Sequence, residues 1–173
     1  MCRSLSFCVD IKASNIGFDQ DGVLKLFDLG LAKEIPAGSK LYHEESSRKE
    51  VPVLSYRDFA SQYIYFGNTG TPRQMAPEVI LRQAYDCKVD VFATSIVMWE
   101  LLVLKKPYGL DVSGDYVKEC VAIYNVRPSP IPQEWPSSLK KLIVRGWSQA
   151  ASARPTSHAM RVSLESILEA EQQ

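Results

Sequence analysis

The chain has 173 residues, 46% hydrophobic and 23% charged, a balance that suits one globular domain and excludes a disordered or collagen-like chain. A domain of this size buries roughly two-thirds of its unfolded surface, so it needs no disulfide or metal staple. Twenty Lys and Arg offset twenty Asp and Glu, leaving no net field to draw the protein to nucleic acid or an acidic membrane.

In chain order, Met1–Val9 holds a single Arg and too short an apolar run for a signal peptide, so an intracellular, cytoplasmic protein is expected. Cys2, Cys8, Cys87 and Cys120 show no C-x-x-C spacing, and His43 and His158 add too little for a zinc cluster; the thiols are read as reduced. Gly17-Phe18-Asp19-Gln20-Asp21-Gly22 is a turn signal, and Val23–Phe27 alternates as a short strand, which predicts a small β-hairpin. From Pro36 to Asn68 the pattern dissolves into Gly, Ser, Pro and mixed charge, a long loop in which Ser39, Ser46, Ser47 and Ser55 are either regulatory phosphosites or simply solvated. Beyond Gly70 the pattern turns helical, with Pro77 at a first-turn position. Residues 87–104 are apolar on nearly every face and predict a buried central helix. Their most apolar part is interrupted by Thr94, Ser95 and Glu100 and falls short of the roughly 18 apolar residues that a membrane span needs. Further helices are predicted over 113–124, 137–147 and 156–171, with Trp99, Trp135 and Trp147 as packing residues in helices. The fold class is mostly α with one small β-hairpin.

Asp10, Lys12 and Asn15 precede the hairpin, and Asp28-Leu29-Gly30 closes it. A hairpin between Asn15 and Asp28 returns the chain on itself and brings an amide oxygen and a carboxylate to one end. Hard oxygen donors so placed suit magnesium. Taken alone, an Asn or Asp beside Gly is as readily a turn residue, and Pro77-Glu78 is as readily an ordinary helix start favoured by the helix dipole.

The order of these residues resembles the catalytic half of the protein kinase family, whose loop reads H-R-D-L-K-x-x-N and whose metal motif is D-F-G. Five positions separate Asp10 from Asn15 and thirteen separate Asn15 from Asp28, as in that family. The resemblance implies Asp10 as catalytic base, Lys12 beside the transferred phosphate, and Asn15 and Asp28 as metal ligands, with ATP and Mg2+ as cofactors. Gly70-Thr71-Pro72-Arg73-Gln74-Met75-Ala76-Pro77-Glu78 resembles the end of a kinase activation segment, with Thr71 in the substrate-docking loop. Asp90 matches the aspartate that opens the long buried helix and holds the catalytic loop. Arg154 matches the late arginine that pairs with Glu78, a structural clamp.

So read, residues 1–173 are the C-terminal lobe of a protein kinase domain: catalytic loop 8–15, metal motif 28–30, activation segment 28–78 with a long insertion at 36–68, and helical subdomain 79–171. The N-terminal lobe of the α+β parent fold is expected to be absent, because only nine residues precede Asp10. The isolated chain is accordingly expected to turn over negligibly and to expose the apolar face that meets the missing lobe. Met98–Leu101 and Trp147–Thr156 look closest to the tyrosine-kinase-like group. Lys12 and Gly70-Thr71 imply a serine/threonine kinase that moves the γ-phosphate of ATP to a protein substrate in signal transduction. Cys8-Val9 stands where the family has His-Arg, so activity is expected not to depend on loop phosphorylation through that arginine; Leu29 replaces the D-F-G phenylalanine. The alternative is a pseudokinase-like interaction module without turnover, and nucleotide binding with turnover distinguishes the two.

Overall fold

The N-terminal part of the computed structural model, which describes residues 5–7, 10–35 and 70–172, holds four three-residue strands: β1 (Leu5–Phe7), β2 (Ile16–Phe18), β3 (Leu24–Leu26) and β4 (Lys33–Ile35). β2 and β3 form the predicted hairpin, antiparallel, with Ile16 opposite Leu26 and Phe18 opposite Leu24. Asp19 builds its turn. The carboxylate accepts from the N–H groups of Asp21 (3.0 Å) and Val23 (2.8 Å), and Gly22 supplies the left-handed φ of 74° that a residue with a Cβ adopts at a cost. The Val23 N–H and the Lys25 ammonium hold the Asp19 carboxyl below its usual range.

A second sheet was not legible in the sequence. β1 pairs with β4, Leu5 opposite Ile35 and Phe7 opposite Lys33, where a single hairpin is expected from the sequence. Strands of three residues carry too little period to be seen, and this pairing joins segments about 30 residues apart. Its effect is to hold the chain entering Asp10 beside the chain leaving Asp28.

Five α-helices follow among the described residues: α1 (Pro77–Ile80), α2 (Lys88–Val103), α3 (Gly114–Ala122), α4 (Ser137–Gly146) and α5 (Ser157–Glu171). Four of them have a local reason to start where they do. Pro77 opens α1 at its first position, where its missing N–H costs nothing. The Asp86 carboxylate accepts the Lys88 N–H at 2.8 Å at the start of α2. Ser113 caps α3 through Tyr116 N–H at 3.2 Å, and Thr156 caps α5 through Ala159 N–H at 3.1 Å.

α2 packs against α4 and α5, and α1 against α3. The main core gathers Ile80, Phe92, Ile96, Trp99, Val117, Val121, Ile143 and Trp147, and a smaller group joins Val91, Leu142 and Met160. The C-terminal end of α2 departs from the all-round burial expected of it: Leu101, Leu102 and Leu104 are exposed. Of the tryptophans, only Trp99 lies inside a helix, donating its indole N–H to the Pro130 carbonyl at 3.1 Å. Trp135 precedes α4 and packs against the core, and Trp147 follows it and is buried. No helix among the described residues is long and apolar enough to cross a membrane. Cys87 and Cys120 are free thiols; Cys2, Cys8, His43 and the loop from Pro36 to Asn68 with its serines lie outside the described residues.

Helix α4 comes close to α2 at Gly146. A Cβ placed there would stand 2.0 Å from Ser95 Oγ and 3.1 Å from Ser95 Cβ, and Ser95 Oγ is itself held by the Val91 carbonyl at 2.8 Å. Gly146→Ala therefore forces α4 away from α2 and is expected to lower stability by roughly 1–3 kcal/mol, read as a lower urea midpoint; an unchanged midpoint would contradict this packing.

Candidate active site

Asp10 is almost fully buried, at 6% exposure, and a buried charge needs partners. It has three. Thr71 Oγ donates to Asp10 Oδ1 at 2.7 Å across 61 residues of sequence. Lys12 Nζ donates to Asp10 Oδ2 at 2.6 Å. Asn15 Nδ2 donates to the Asp10 carbonyl at 3.1 Å and more weakly to Oδ2 at 3.5 Å.

The local backbone explains why these groups converge. Residues Ala13–Asn15 form a single 3-10 turn, closed by the Asn15 N–H on the Lys12 carbonyl at 3.0 Å. This turn folds Asn15 back under Asp10, and α2 lies against it. Burial pushes the Asp10 carboxyl up, but the hydrogen bonds from Lys12 and Thr71 and the Lys12 charge more than offset it, so its net direction is down. Asp10 is therefore an anion at neutral pH, able to accept and orient a hydroxyl.

Asp28 is reached through the backbone. The Phe27 N–H donates to the Asn15 carbonyl at 2.8 Å, which sets Asp28 beside Asn15 at the open end of the hairpin. Asp28 is exposed and takes a left-handed φ of 56°, a conformation uncommon for a residue with a side chain and found preferentially at functional sites. Gly17 lets Phe27 close onto the hairpin, since a Cβ at Gly17 would fall 2.8 Å from Phe27 Cε2. No hydrogen bond or ion pair joins Asp28 to Asp10, Lys12 or Asn15. Asp10, Lys12, Asn15 and Thr71 meet directly, and Asp28 is their neighbour.

These donors bear on the divalent metal implied by the sequence. With Nδ2 turned to Asp10, the Asn15 amide directs Oδ1 the other way, and Asp28 offers a free carboxylate. Among the described residues no group of three or more His, Cys, Asp or Glu could hold a metal ion. One amide oxygen and one carboxylate are few for a protein cage but fit Mg2+, which keeps several waters and takes phosphate oxygens.

A second polar group adjoins the first and was missed in the sequence. Glu100, buried at 7% exposure, accepts from Gln74 Nε2 at 3.1 Å and Lys106 Nζ at 2.7 Å. Gln74 Oε1 is buried with no hydrogen-bond partner. A glutamate inside an apolar helical run was the available signal, because buried carboxylates occur only with partners; in the sequence it reads only as an interruption.

Glu78 and Arg154, 76 residues apart, form a buried bidentate pair, Nη1 to Oε1 at 2.6 Å and Nη2 to Oε2 at 2.8 Å. Arg154 Nε donates to Ser148 O at 2.9 Å, and Nη1 and Nη2 also donate to Lys88 O and Gln149 O, each at 3.2 Å. Every guanidinium hydrogen is thereby used. The Phe92 ring lies 5.0 Å from both the Arg154 and Arg127 guanidinium carbons, within cation–π reach. Asp90 sits in the first turn of α2; residues 8 and 9 of the loop assigned to it lie outside the described residues.

Over residues 6–164 the chain matches the family model for the protein kinase domain. It belongs to the protein kinase family. It is 33% identical over 162 residues to shkB, a dual specificity protein kinase of Dictyostelium discoideum, covering 93% of this chain and 21% of that protein. It is 32% identical over 151 residues to the serine/threonine-protein kinase STY46 of Arabidopsis thaliana, covering 84% of this chain and 21% of that one. A putative serine/threonine-protein kinase/receptor of Acanthamoeba polyphaga mimivirus, R826, is 33% identical over 148 residues, covering 85% of this chain and 7% of its own. The chain thus spans about a fifth or less of the length of these relatives. The mostly helical body with its small antiparallel sheets is consistent with part of a kinase domain.

Two outcomes follow from the charges. Arg154→Met strands Glu78 in the interior and is expected to cost roughly 3–5 kcal/mol, measured by urea unfolding. Adding Glu78→Leu is expected to restore only part, because the carbonyls of Lys88, Ser148 and Gln149 still lack their donor; full recovery would show that the pair alone matters. A carboxyl whose folded value lies below its ordinary 3.8 binds fewer protons folded than unfolded. Its contribution is present above that ordinary value and is lost as pH falls through the lower folded one. The stability gap between the wild type and Asp10→Asn should therefore shrink from about pH 5 to about pH 3, and a gap that stays constant would contradict the assignment.

Proposed function

We propose that the chain is the C-terminal lobe of a protein serine/threonine kinase, acting on a protein substrate with ATP and Mg2+. The observation that carries this reading is the shared contact of Lys12, Asn15 and Thr71 on the Asp10 carboxylate. Asp10 is the group that takes the acceptor hydroxyl. Lys12, already within 2.6 Å of it, would offer its charge to the transferred phosphate. Asn15 and Asp28 hold the metal, which when bound neutralises the phosphates of ATP. Phosphoryl transfer asks little covalent chemistry of a protein, and position with fixed charge does most of the rest.

Serine or threonine is favoured as acceptor by Thr71. Its hydroxyl ties the docking loop to Asp10 by one hydrogen bond, so a peptide laid along that loop runs close to the carboxylate. A short aliphatic side chain reaches Asp10 from there, whereas a phenol would overshoot. In this reading residues 28–78 are the activation segment, residues 79–171 the helical subdomain, and the Glu78–Arg154 pair clamps one to the other. Phe18, Val23, Leu24, Phe27 and Leu29 are all more than half exposed. They offer an apolar face for the N-terminal lobe that would cover the nucleotide, and such a face rarely stays bare.

The test is transfer of labelled γ-phosphate from ATP to a generic protein substrate by the complete gene product, followed by phosphoamino-acid analysis. Label is expected on Ser and Thr, with a drop of about 10²–10⁴-fold in Asp10→Asn and loss of the magnesium-dependent rate in Asp28→Ala. Label confined to Tyr would refute the acceptor assignment, and nucleotide binding with no transfer would favour the pseudokinase-like interaction module.

A further inference from the structure

Beside Asp10 lies a cavity of about 220 Å³ whose walls include Lys12, Thr71, Arg73, Gln74, Glu100 and Lys106. Two of these residues, Lys12 and Thr71, also hold the Asp10 carboxylate, so whatever fills the cavity sits next to the acceptor site. Its charges are not balanced. The Lys106 charge is spent on Glu100 at 2.7 Å and the Lys12 charge on Asp10 at 2.6 Å. Arg73 has no carboxylate partner among the described residues. Its guanidinium is held instead by neutral carbonyls: Nη1 donates to Pro107 O and Gly109 O, and Nη2 to Leu110 O at 3.3 Å.

That arrangement fixes the Arg73 side chain without neutralising it. Both Nη1 hydrogens are committed to carbonyls and one Nη2 hydrogen to Leu110 O, which leaves Nε–H and one Nη2–H to donate; the Nε/Nη2 edge of an arginine is one that a carboxylate takes side-on in a bidentate contact. Fixing the fork beforehand removes much of the entropy that a flexible lysine would lose on binding. Glu100 does not compete for this role, being already shared by Gln74 and Lys106.

We propose that this cavity is a specificity subsite for an acidic side chain, the Asp or Glu of a protein substrate close in sequence to the phosphoacceptor, bound by the Nε/Nη2 edge of Arg73. The proposal rests on the kinase reading of Asp10 and names the substrate class that this site selects. A basic residue in the same place would meet an uncompensated guanidinium, so the subsite discriminates by repulsion as well as attraction.

The experiment uses the complete gene product and peptides with one Ser acceptor in a neutral background, placing Glu, Gln or Lys in turn at each flanking position. At one position the Glu peptide is expected to exceed the Gln peptide by about tenfold in kcat/KM, with Lys poorer still, the gain residing in KM and shrinking with added salt. In Arg73→Gln the Glu-to-Gln ratio at that position should fall to near one. A wild-type scan with no Glu preference, or with a preference for Lys, would overturn the subsite, and this arm needs no variant to fold. An unchanged ratio in a folded Arg73→Gln would overturn the role of Arg73. The same peptides with Ala in place of the acceptor Ser, followed by fluorescence anisotropy, separate the two readings. Glu-selective binding without any transfer supports the subsite and removes the kinase reading; transfer without Glu selectivity does the reverse.

Discussion

The Glu78–Arg154 pair is the constraint on which the placement of everything else depends. A guanidinium at 1% exposure is tolerable only if every donor is used, and here a carboxylate and three carbonyls use them all. Those partners lie on three separate stretches: the first turn of α1, the start of α2, and the connection after α4. The Lys88 ammonium reciprocates by donating to the Arg154 carbonyl at 2.6 Å. One side chain therefore fixes the entry to α1 relative to the helical body, and that in turn fixes residues 70–76, which run into α1.

What that fixed segment delivers is Thr71 on Asp10. The 3-10 turn at Ala13–Asn15 brings Lys12 and Asn15 to the same carboxylate by local geometry, but Thr71 comes from 61 residues away, on a segment that the Glu78 anchor helps to hold in place. The next residues of the segment face the neighbouring cavity: Arg73 onto carbonyls of the turn after α2, and Gln74 onto Glu100. A single anchored stretch thus serves both the hydroxyl-orienting carboxylate and the wall beside it, so chemistry and substrate selection share one mechanical support.

Charge distribution follows the same logic. A chain with no net charge has no long-range field to speak of, and its electrostatics are local and paired. Asp10 with Lys12, Glu78 with Arg154 and Glu100 with Lys106 are each a carboxylate taken out of water and given a cation, with a further donor for Asp10 and Glu100. Arg73 and Arg127 are the contrast, cations fixed by dipoles, and Arg73 is the one in the cavity wall. Against a background of paired charges, an unpaired one at a cavity wall is the group most able to distinguish one ligand from another.

Local features follow from neighbouring residues and were legible before any fold was known. Pro77, Ser113 and Thr156 mark helix starts because a ring without an N–H or a short hydroxyl satisfies the first turn wherever it stands. The Asp19–Gly22 turn is equally a property of adjacent residues, and the residue types at Asp10, Lys12, Asn15 and Asp28, with Ala76-Pro77-Glu78 after them, already resemble the family's motifs. Long-range packing set the β1–β4 pairing, the exposure of Leu101, Leu102 and Leu104 at the end of an otherwise buried helix, and the joining of Gln74, Lys106 and Arg73 around Glu100 and the turn after α2. These depend on which distant segments meet. Hydrophobic period and capping chemistry are short-ranged, whereas a buried ion pair or a cavity wall exists only once chain segments tens of residues apart have excluded the water between them.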